Sequence, residues 1–207
     1  MGIRACLSRL LPEEPEDVRG FFASLPPLET ERLLLRPVRR GDAADFYAYA
    51  SDPEVARHVL WRAHRSLSET RAVIRMIRRQ YWNAEPSLYA IVLRSSGRMI
   101  GTIGFNAWDE EHLSAEVGYS LAREFWHQGL ATEALRALLG LCFDRMGLHR
   151  VEGMHELDNP ASGRVMEHCG MRREGVLRGR IRNKGAWKDV CLYAILAEEW
   201  VSASPAG

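Results

Sequence analysis

The sequence predicts a mixed α+β domain, a largely antiparallel central sheet of about seven strands with helices on both faces. Three observations predict it. Strand-like runs at residues 88–94, 99–105 and 115–119 follow one another with only turn or loop chemistry between them, which is a meander. Segments with apolar residues at helical spacing flank that meander on both sides. One of these, residues 131–146, crosses from the third run to a further strand at 150–156.

Taken in order, Arg32-Leu33-Leu34-Leu35-Arg36-Pro37-Val38 is a short apolar run ended by proline and reads as the first strand. Asp42 is a good N-cap for a helix through Phe46, Tyr47 and Tyr49 that closes near Pro53. Ser66 and Glu69 have capping-box spacing at the head of a second helix. Val73, Ile77 and Tyr81 occupy one face of it and Arg71, Arg75, Arg78 and Arg79 mostly the other, which is either a solvated face or a surface for an acidic partner. Ser95-Ser96-Gly97-Arg98 supplies the turn of the next hairpin, and Asp109-Glu110-Glu111-His112 the loop before the last meander strand. Leu135, Leu138, Leu139, Cys142 and Phe143 recur at helical spacing, with Gly147 as the expected C′ residue. The strand at 150–156, a helix from about Pro160 to Cys169, a hairpin around Asn183-Lys184-Gly185 and a last strand at 189–196 complete the order β-α-α-β-β-β-α-β-α-β-β.

At about 100–200 residues per domain, 207 residues make one domain with an appendage. The appendage is residues 1–29: Leu11-Pro12-Glu13-Glu14-Pro15-Glu16-Asp17 is polar and proline-broken, and Pro26-Pro27 stops whatever precedes it. It is expected to be poorly structured or a short helix, followed by the domain at 30–200 and a tail at 201–207.

Twenty-eight basic residues face 27 acidic ones, a formal charge of +1, which excludes bulk nucleic acid or an anionic membrane surface as the main partner. Of the 28, all but Lys184 and Lys188 are arginine, which makes 26. Cys6, Cys142, Cys169 and Cys191 show no pairing rhythm and no C-x-x-C, so a reducing compartment is expected and a zinc ribbon is not. The adjacent His168 and Cys169 cannot both face one metal from a single helix, and no metal is expected. Arg9 interrupts the apolar N-terminal stretch, and the longest apolar run carries Glu133 and Arg136. The chain therefore reads as cytoplasmic, without signal peptide or membrane span.

The chemistry concentrates in Trp126-His127-Gln128-Gly129-Leu130-Ala131-Thr132-Glu133-Ala134, which joins a strand end to a strong helix through small residues. Such a loop turns successive backbone N–H groups outward at the positive end of a helix dipole, a natural seat for a diphosphate, with His127 and Arg123 placed to contact a further phosphate. The competing reading is an ordinary β-α connection. Neither a P-loop nor a dinucleotide fingerprint is present.

This stretch resembles the acetyl-CoA pyrophosphate loop of the GNAT N-acetyltransferases, and more narrowly the RimJ/RimL-type branch that acetylates protein N-termini. Glu29-Thr30-Glu31-Arg32-Leu33-Leu34-Leu35-Arg36-Pro37, Ala115-Glu116-Val117-Gly118-Tyr119, Asp158-Asn159-Pro160-Ala161-Ser162, Cys169-Gly170-Met171 and 185–193 fit the same branch in order. The resemblance spans about residues 29–197. It implies acetyl-CoA as co-substrate and a GNAT fold whose sheet is splayed at the fourth strand. Backbone amides of His127, Gln128, Gly129, Leu130, Ala131 and Thr132, beside Trp126, would hold the diphosphate. Val117 and Gly118 would line the pantetheine arm, with Asn159 and Ser162 near the sulfur.

Acetyl transfer needs a neutral amine, a donor for the developing oxyanion and a proton for the departing thiolate. An α-amine of pKa near 8 is about 10% neutral at pH 7 and a lysine below about 0.1%, so an α-amine can manage with a weak or water-relayed base. Glu116 is the candidate base, against a reading as a surface or ion-paired carboxylate; His155 is a reserve. Ser162 is the candidate proton donor, with Tyr119 in reserve, although Asn159 and Pro160 also read as a plain helix start. The resemblance assigns the oxyanion to backbone N–H groups around Val117 to Tyr119. Arg178-Gly179-Arg180-Ile181-Arg182 stands where related enzymes carry an acid, which points to an acceptor with negative charge or none beside the amine. The expected partners are acetyl-CoA and an amine acceptor, first a protein or peptide N-terminus, then a polyamine or antibiotic. A non-catalytic acyl-CoA sensor is the rival from another class. The last hairpin is a place for pairing, leaving monomer and homodimer both open.

Overall fold

A computed structural model describes residues 18–203; residues 1–17, which hold Cys6 and most of the expected extension, and 204–207 of the tail lie outside the described residues. Eight strands form one sheet: β1 (Leu28–Glu29), β2 (Leu33–Pro37), β3 (Leu88–Leu93), β4 (Met99–Asp109), β5 (Ser114–Leu121), β6 (Arg150–Glu156), β7 (Arg172–Asn183) and β8 (Ala186–Leu196). Across the sheet the order is β1-β2-β3-β4-β5-β6-β8-β7. Every pair is antiparallel except β5–β6, whose strands are joined by a crossover helix as parallel neighbours must be. The eighth strand relative to the expected seven is β1, a two-residue rung on β2 too short to leave a sequence pattern.

Among the described residues seven α-helices accompany the sheet: α1 (Val18–Ala23), α2 (Ala43–Ala50), α3 (Pro53–Ala56), α4 (Leu67–Trp82), α5 (Leu130–Gly140), α6 (Pro160–His168) and α7 (Ala197–Ala203). One face of the sheet packs Leu33, Leu35, Ile91 and Ile103 beneath Leu135, Leu138 and Leu139 of α5. The other packs Val38, Ala90 and Val92 beneath Phe46 and Tyr49 of α2 and Ile74 and Ile77 of α4. The arginines of α4 at 71, 75, 78 and 79 are all exposed, as a solvated face would be.

Four details depart from expectation for physical reasons. The stretch assigned to a loose extension is sewn into the core from α1 onward: Phe22 is buried with its ring edge-on to Phe105 at 5.2 Å, and Phe21 and Leu25 are buried beside it. Burying two phenylalanines outweighs the cost of ordering a helix that short. Asp42 does not cap α2; its carboxylate accepts from the amide of Arg39 at 2.6 Å and holds Arg36 through two bonds of 2.8 and 2.7 Å. Ser66 Oγ does accept from the amide of Glu69, yet the Glu69 carboxylate reaches back to the amide of Arg65 instead of Ser66. The long helix expected at 131–146 is α5 followed by a π-helical turn at Leu141–Arg145.

Cys142, Cys169 and Cys191 are free and buried, in keeping with their lack of pairing rhythm. Among the described residues, no helix is long and apolar enough to cross a membrane.

Two polar clamps anchor the sheet to its surroundings. Arg36 and Asp42 form a buried bidentate pair that ties β2 to the turn entering α2. Glu133 of α5 accepts from Thr30 Oγ1 at 2.6 Å and from the backbone and side chain of Arg32 at 2.9 and 2.6 Å, while Arg32 Nη1 donates to the carbonyl of Gln128 at 3.0 Å. Burial pushes the Glu133 carboxyl upward, but these donors outweigh it and hold its pKa below the ordinary value.

Two stability predictions follow from the clamps. Arg36→Met leaves a buried carboxylate unpaired and is expected to cost about 3 kcal/mol in urea unfolding, against under about 1 kcal/mol for exposed Arg75→Met. A loss below 1 kcal/mol for Arg36→Met would contradict this account of the pair. Glu133→Gln is expected to cost about 1 kcal/mol at pH 7, since Arg32 is partly solvated. A depressed carboxyl pKa stabilises above the unfolded value and loses that contribution as pH falls through the folded one. The gap between variant and wild type should therefore narrow below about pH 4 and stay constant from pH 6 to 8.

Candidate functional site: two cavities meeting at a gap in the sheet

The loop before α5 begins with the 3-10 turn Arg123–Phe125. Trp126 Nε1 donates to the carbonyl of Leu121 at 2.7 Å, and Gln128 Nε2 to that of Glu124 at 2.8 Å. His127 and Gly129 both take positive φ, 59° and 75°, so the chain doubles back twice in three residues. The glycine is required at the N-cap, where it is left-handed and supplies no side-chain cap. The first intrahelical bond is from the amide of Glu133 to the carbonyl of Gly129, 3.0 Å, so the amides of Leu130, Ala131 and Thr132 precede the ladder. They sit at the positive end of the helix dipole, and Arg32 pairs with Glu133, the carboxylate in that helix's first turn. This cradle lines a cavity of about 320 Å³ together with Trp126, His127 and, from α6, Arg164 and His168. The Arg164 guanidinium, the bare amides and a glycine with no Cβ in the way fit an anionic phosphate chain, with Glu54 the one acid in the lining.

Arg123 does not contribute as expected. Its guanidinium pairs with Asp52 at 3.1 Å, outside the cavity lining.

The cavity leads to a gap between β5 and β6. These strands pair at only three rungs, ending at Glu116↔Glu152, and beyond that point no rung joins them. Counting β1, the gap opens along the fifth strand, which is the fourth of the seven expected. Val117, Gly118 and Tyr119 continue to pair with β4 on one side. Tyr119 reaches across to α6, where its hydroxyl lies 2.9 Å from both the carbonyl oxygen and Oγ of Ser162. A carbonyl only accepts, so the tyrosine proton goes there and the serine hydroxyl donates to the tyrosine oxygen. Burial drives the Tyr119 pKa well above the phenolic value, which keeps the hydroxyl protonated. Asn159, at the head of α6, makes no side-chain cap to that helix; its side chain is not consumed by the helix start.

On the other side of the gap lies a second cavity of about 240 Å³, lined by Asn106, Glu116, Met154, His155 and Ile181 among others. The cavities share His58, Val59, Tyr119, Ser120, Asn159 and Ser162, which form the seam between them. Glu116, half-buried, accepts from Asn106 Nδ2 at 3.0 Å. Gly118 makes room for this pair: a Cβ there would stand 2.7 Å from Asn106 Nδ2. His155 donates from Nδ1 to the carbonyl of Glu156 at 2.7 Å, and its Nε2 lies beside Gly163, where a Cβ would stand 2.7 Å away. Of residues 178–182 only Ile181 lines the cavity; Arg178, Arg180 and Arg182 do not, so they give no ground for a negatively charged acceptor.

The structure thus brings Glu116, Tyr119, Ser162, Asn159 and, from the loop, Trp126, His127 and residues 129–132 to two cavities that share a wall; Gln128 lines neither. It adds residues that sequence reasoning missed. Val55, His58 and Val59 come from α3 and the loop after it, whose only sequence signal is Asp52-Pro53-Glu54, an N-cap with proline at N1. Arg164 and His168 are four residues apart on α6, one helical turn.

His58, Glu156 and Asp158 bring ligand atoms within 4.8 Å of one another, the one group among the described residues that could hold a metal. Its acids already have partners. Asn183 Nδ2 donates to Glu156 Oε1 at 2.5 Å, His58 Nδ1 lies 3.0 Å from Glu156 Oε2, and Lys188 lies 3.6 Å from Asp158. That set fits a hydrogen-bonded histidine better than a cation.

Residues 32–172 match the family model of an acetyltransferase (GNAT) domain. An N-acetyltransferase of Bacillus licheniformis is 34% identical over 84% of this chain and 97% of its own length. The [ribosomal protein uS5]-alanine N-acetyltransferase of Escherichia coli is 26% identical over 87% of this chain and 97% of its own. A solved GNAT-family acetyltransferase from Bacillus anthracis superposes with a TM-score of 0.75 at 29% identity, covering 84% of this chain and 99% of that one. With its split sheet and its amide cradle at the start of α5, the chain belongs to the GNAT acetyltransferase family and is an acetyl-CoA-dependent N-acetyltransferase.

Proposed function

We propose that the acceptor is the α-amine of a protein or peptide N-terminus. The observation that carries this reading is the acceptor-side cavity, whose lining holds two acids, Glu116 and Glu156. Glu156 is buried and taken by Asn183 and His58, which leaves Glu116 for an incoming ammonium. One available carboxylate suits one positive charge on an otherwise unspecified chain, and suits a polyamine poorly. The α-amine also needs the least help to lose its proton near neutral pH, so a half-exposed carboxylate acting through water suffices. The relative from Escherichia coli is named for an acceptor of this kind.

In this reading acetyl-CoA supplies the activated acyl group, and the chain's residues hold it and move protons. The amides of residues 127–132, flanked by Trp126 and His127, bind the diphosphate. Val117, Gly118 and Asn159 line the arm that passes through the gap. Glu116 receives the proton of the amine. Tyr119 gives its proton to the departing thiolate, Ser162 Oγ steadies the phenolate by the hydrogen bond it already donates, and a proton from solvent restores the phenol once the thiol has left. Backbone N–H groups of Val117 to Tyr119 on the side without a β6 partner face the acyl oxygen.

The test is a mass-spectrometric screen of N-terminal peptides against polyamines and aminoglycosides. Acetylated peptide α-amines are expected, and acetylation confined to polyamines would overturn the reading. For the best acceptor, Glu116→Gln and Tyr119→Phe should each lower kcat by roughly a hundredfold, leaving acetyl-CoA binding within a few fold. Gly129→Val should abolish the thermal stabilisation that acetyl-CoA gives the wild type, about 2.7 kcal/mol at a hundred times Kd.

A further inference from the structure

The tip of the β7–β8 hairpin lies outside the machinery above, yet it is bonded to one wall of it. Lys184, at the tip with φ 49°, donates from Nζ to the carbonyls of Ala56, Arg57 and Val59 at 2.9, 3.2 and 2.7 Å, and to Asn183 Oδ1 at 3.0 Å. Ala56 and Arg57 end α3, where helix geometry leaves carbonyls unpaired. The neighbouring Asn183 is buried and donates to Glu156, and Glu156 in turn holds His58. A hairpin tip, the end of β6 and the loop after α3 are therefore fastened to each other across about 125 positions of sequence.

The chemistry of that junction asks for lysine. Three carbonyl oxygens from one short loop and Asn183 Oδ1 surround a single point, and an ammonium offers three donors radiating from one nitrogen, with the longest contact, 3.2 Å to Arg57, sharing a proton with a neighbour. A guanidinium spreads its donors over a flat fork and cannot direct three of them to one focus. In a chain whose basic residues are otherwise almost all arginine, one of the two lysines stands here.

We infer that Lys184 is a positioning residue: it fastens residues 56–59 so that His58 and Val59 close the seam between the two cavities at the width the thioester and the amine require. The inference rests on reading those cavities as the acetyl-CoA and acceptor sites. Both residues line both cavities, so a loosened loop weakens both substrates and lets water reach the thioester. The acetyl-CoA side can be read without knowing the acceptor.

Lys184→Met and Lys184→Arg are compared with Lys188→Met, which changes the other hairpin lysine. The acetyl-CoA Kd from titration calorimetry is expected to rise about tenfold in both Lys184 variants and to stay within about twofold in Lys188→Met. With the best acceptor of the wild type, KM for the amine should rise about tenfold while kcat changes less than about threefold, and acetyl-CoA hydrolysed per amine acetylated should increase. Unchanged Kd and KM alongside a lowered Tm would overturn the inference, since Lys184 would then serve stability alone. Full recovery by Lys184→Arg would overturn it as well. If Lys184→Met does not fold, Lys184→Gln carries the same expectation. Failure to find any peptide acceptor would count against the proposed substrate and leave the Kd comparison standing.

Discussion

The architecture turns on the early parting of two parallel strands. β5 and β6 share three rungs and then separate, although both continue for several residues. A complete sheet would use the backbone groups of Val117, Gly118 and Tyr119 internally and leave no passage from one face to the other. With the pairing cut short, those groups stay available and a narrow slot joins the α5 face to the α2 face. The helices on each face then define two chambers, which the proposed function assigns to the thioester on one side and the amine on the other. The antiparallel rungs on either side hold the slot open, because β5 stays paired with β4, and β6 with β8, along the divergence.

Anion binding shows a similar economy. Glu133 lies in the first turn of the helix whose positive end receives the diphosphate in the proposed function, where a bare carboxylate would offset part of the dipole's attraction. Arg32 cancels that charge, Thr30 adds a donor, and the same guanidinium holds the Gln128 carbonyl. Strand β2 thereby fixes the loop from outside, and the amides point inward without help from basic side chains in the loop itself.

Most of this was legible in the sequence where the signal was local. The meander, the crossover and the helix at 160–168 announced themselves through periodicity and turn residues, and the loop 126–132 through small residues before a strong helix. Legibility failed where the deciding partner was distant. Asp42 is a different case, because its partner Arg36 is only six residues away and the turn that brings them together leaves no periodic signal. Phe21 and Phe22 looked peripheral because their contacts, Phe105 and Arg145, lie far along the chain. α3 has four residues, too few to show a period, yet with the loop that follows it walls both chambers. The arginines of β7 misled for another reason: local composition says how basic a strand is, but only the register on β8 shows which residue faces the cavity, and that residue is Ile181.

The scarcity of lysine has a chemical corollary for a protein that handles an acylating agent. Guanidinium groups stay protonated and are poor nucleophiles, so 26 of the 28 basic side chains are inert toward a thioester at neutral pH. Of the two amines left, Lys184 is saturated by four acceptors and Lys188 is drawn to Asp158. The side chains of the enzyme thus offer little competition to the substrate for the acyl group, and self-modification at lysine is held down by composition before any active-site selectivity comes into play.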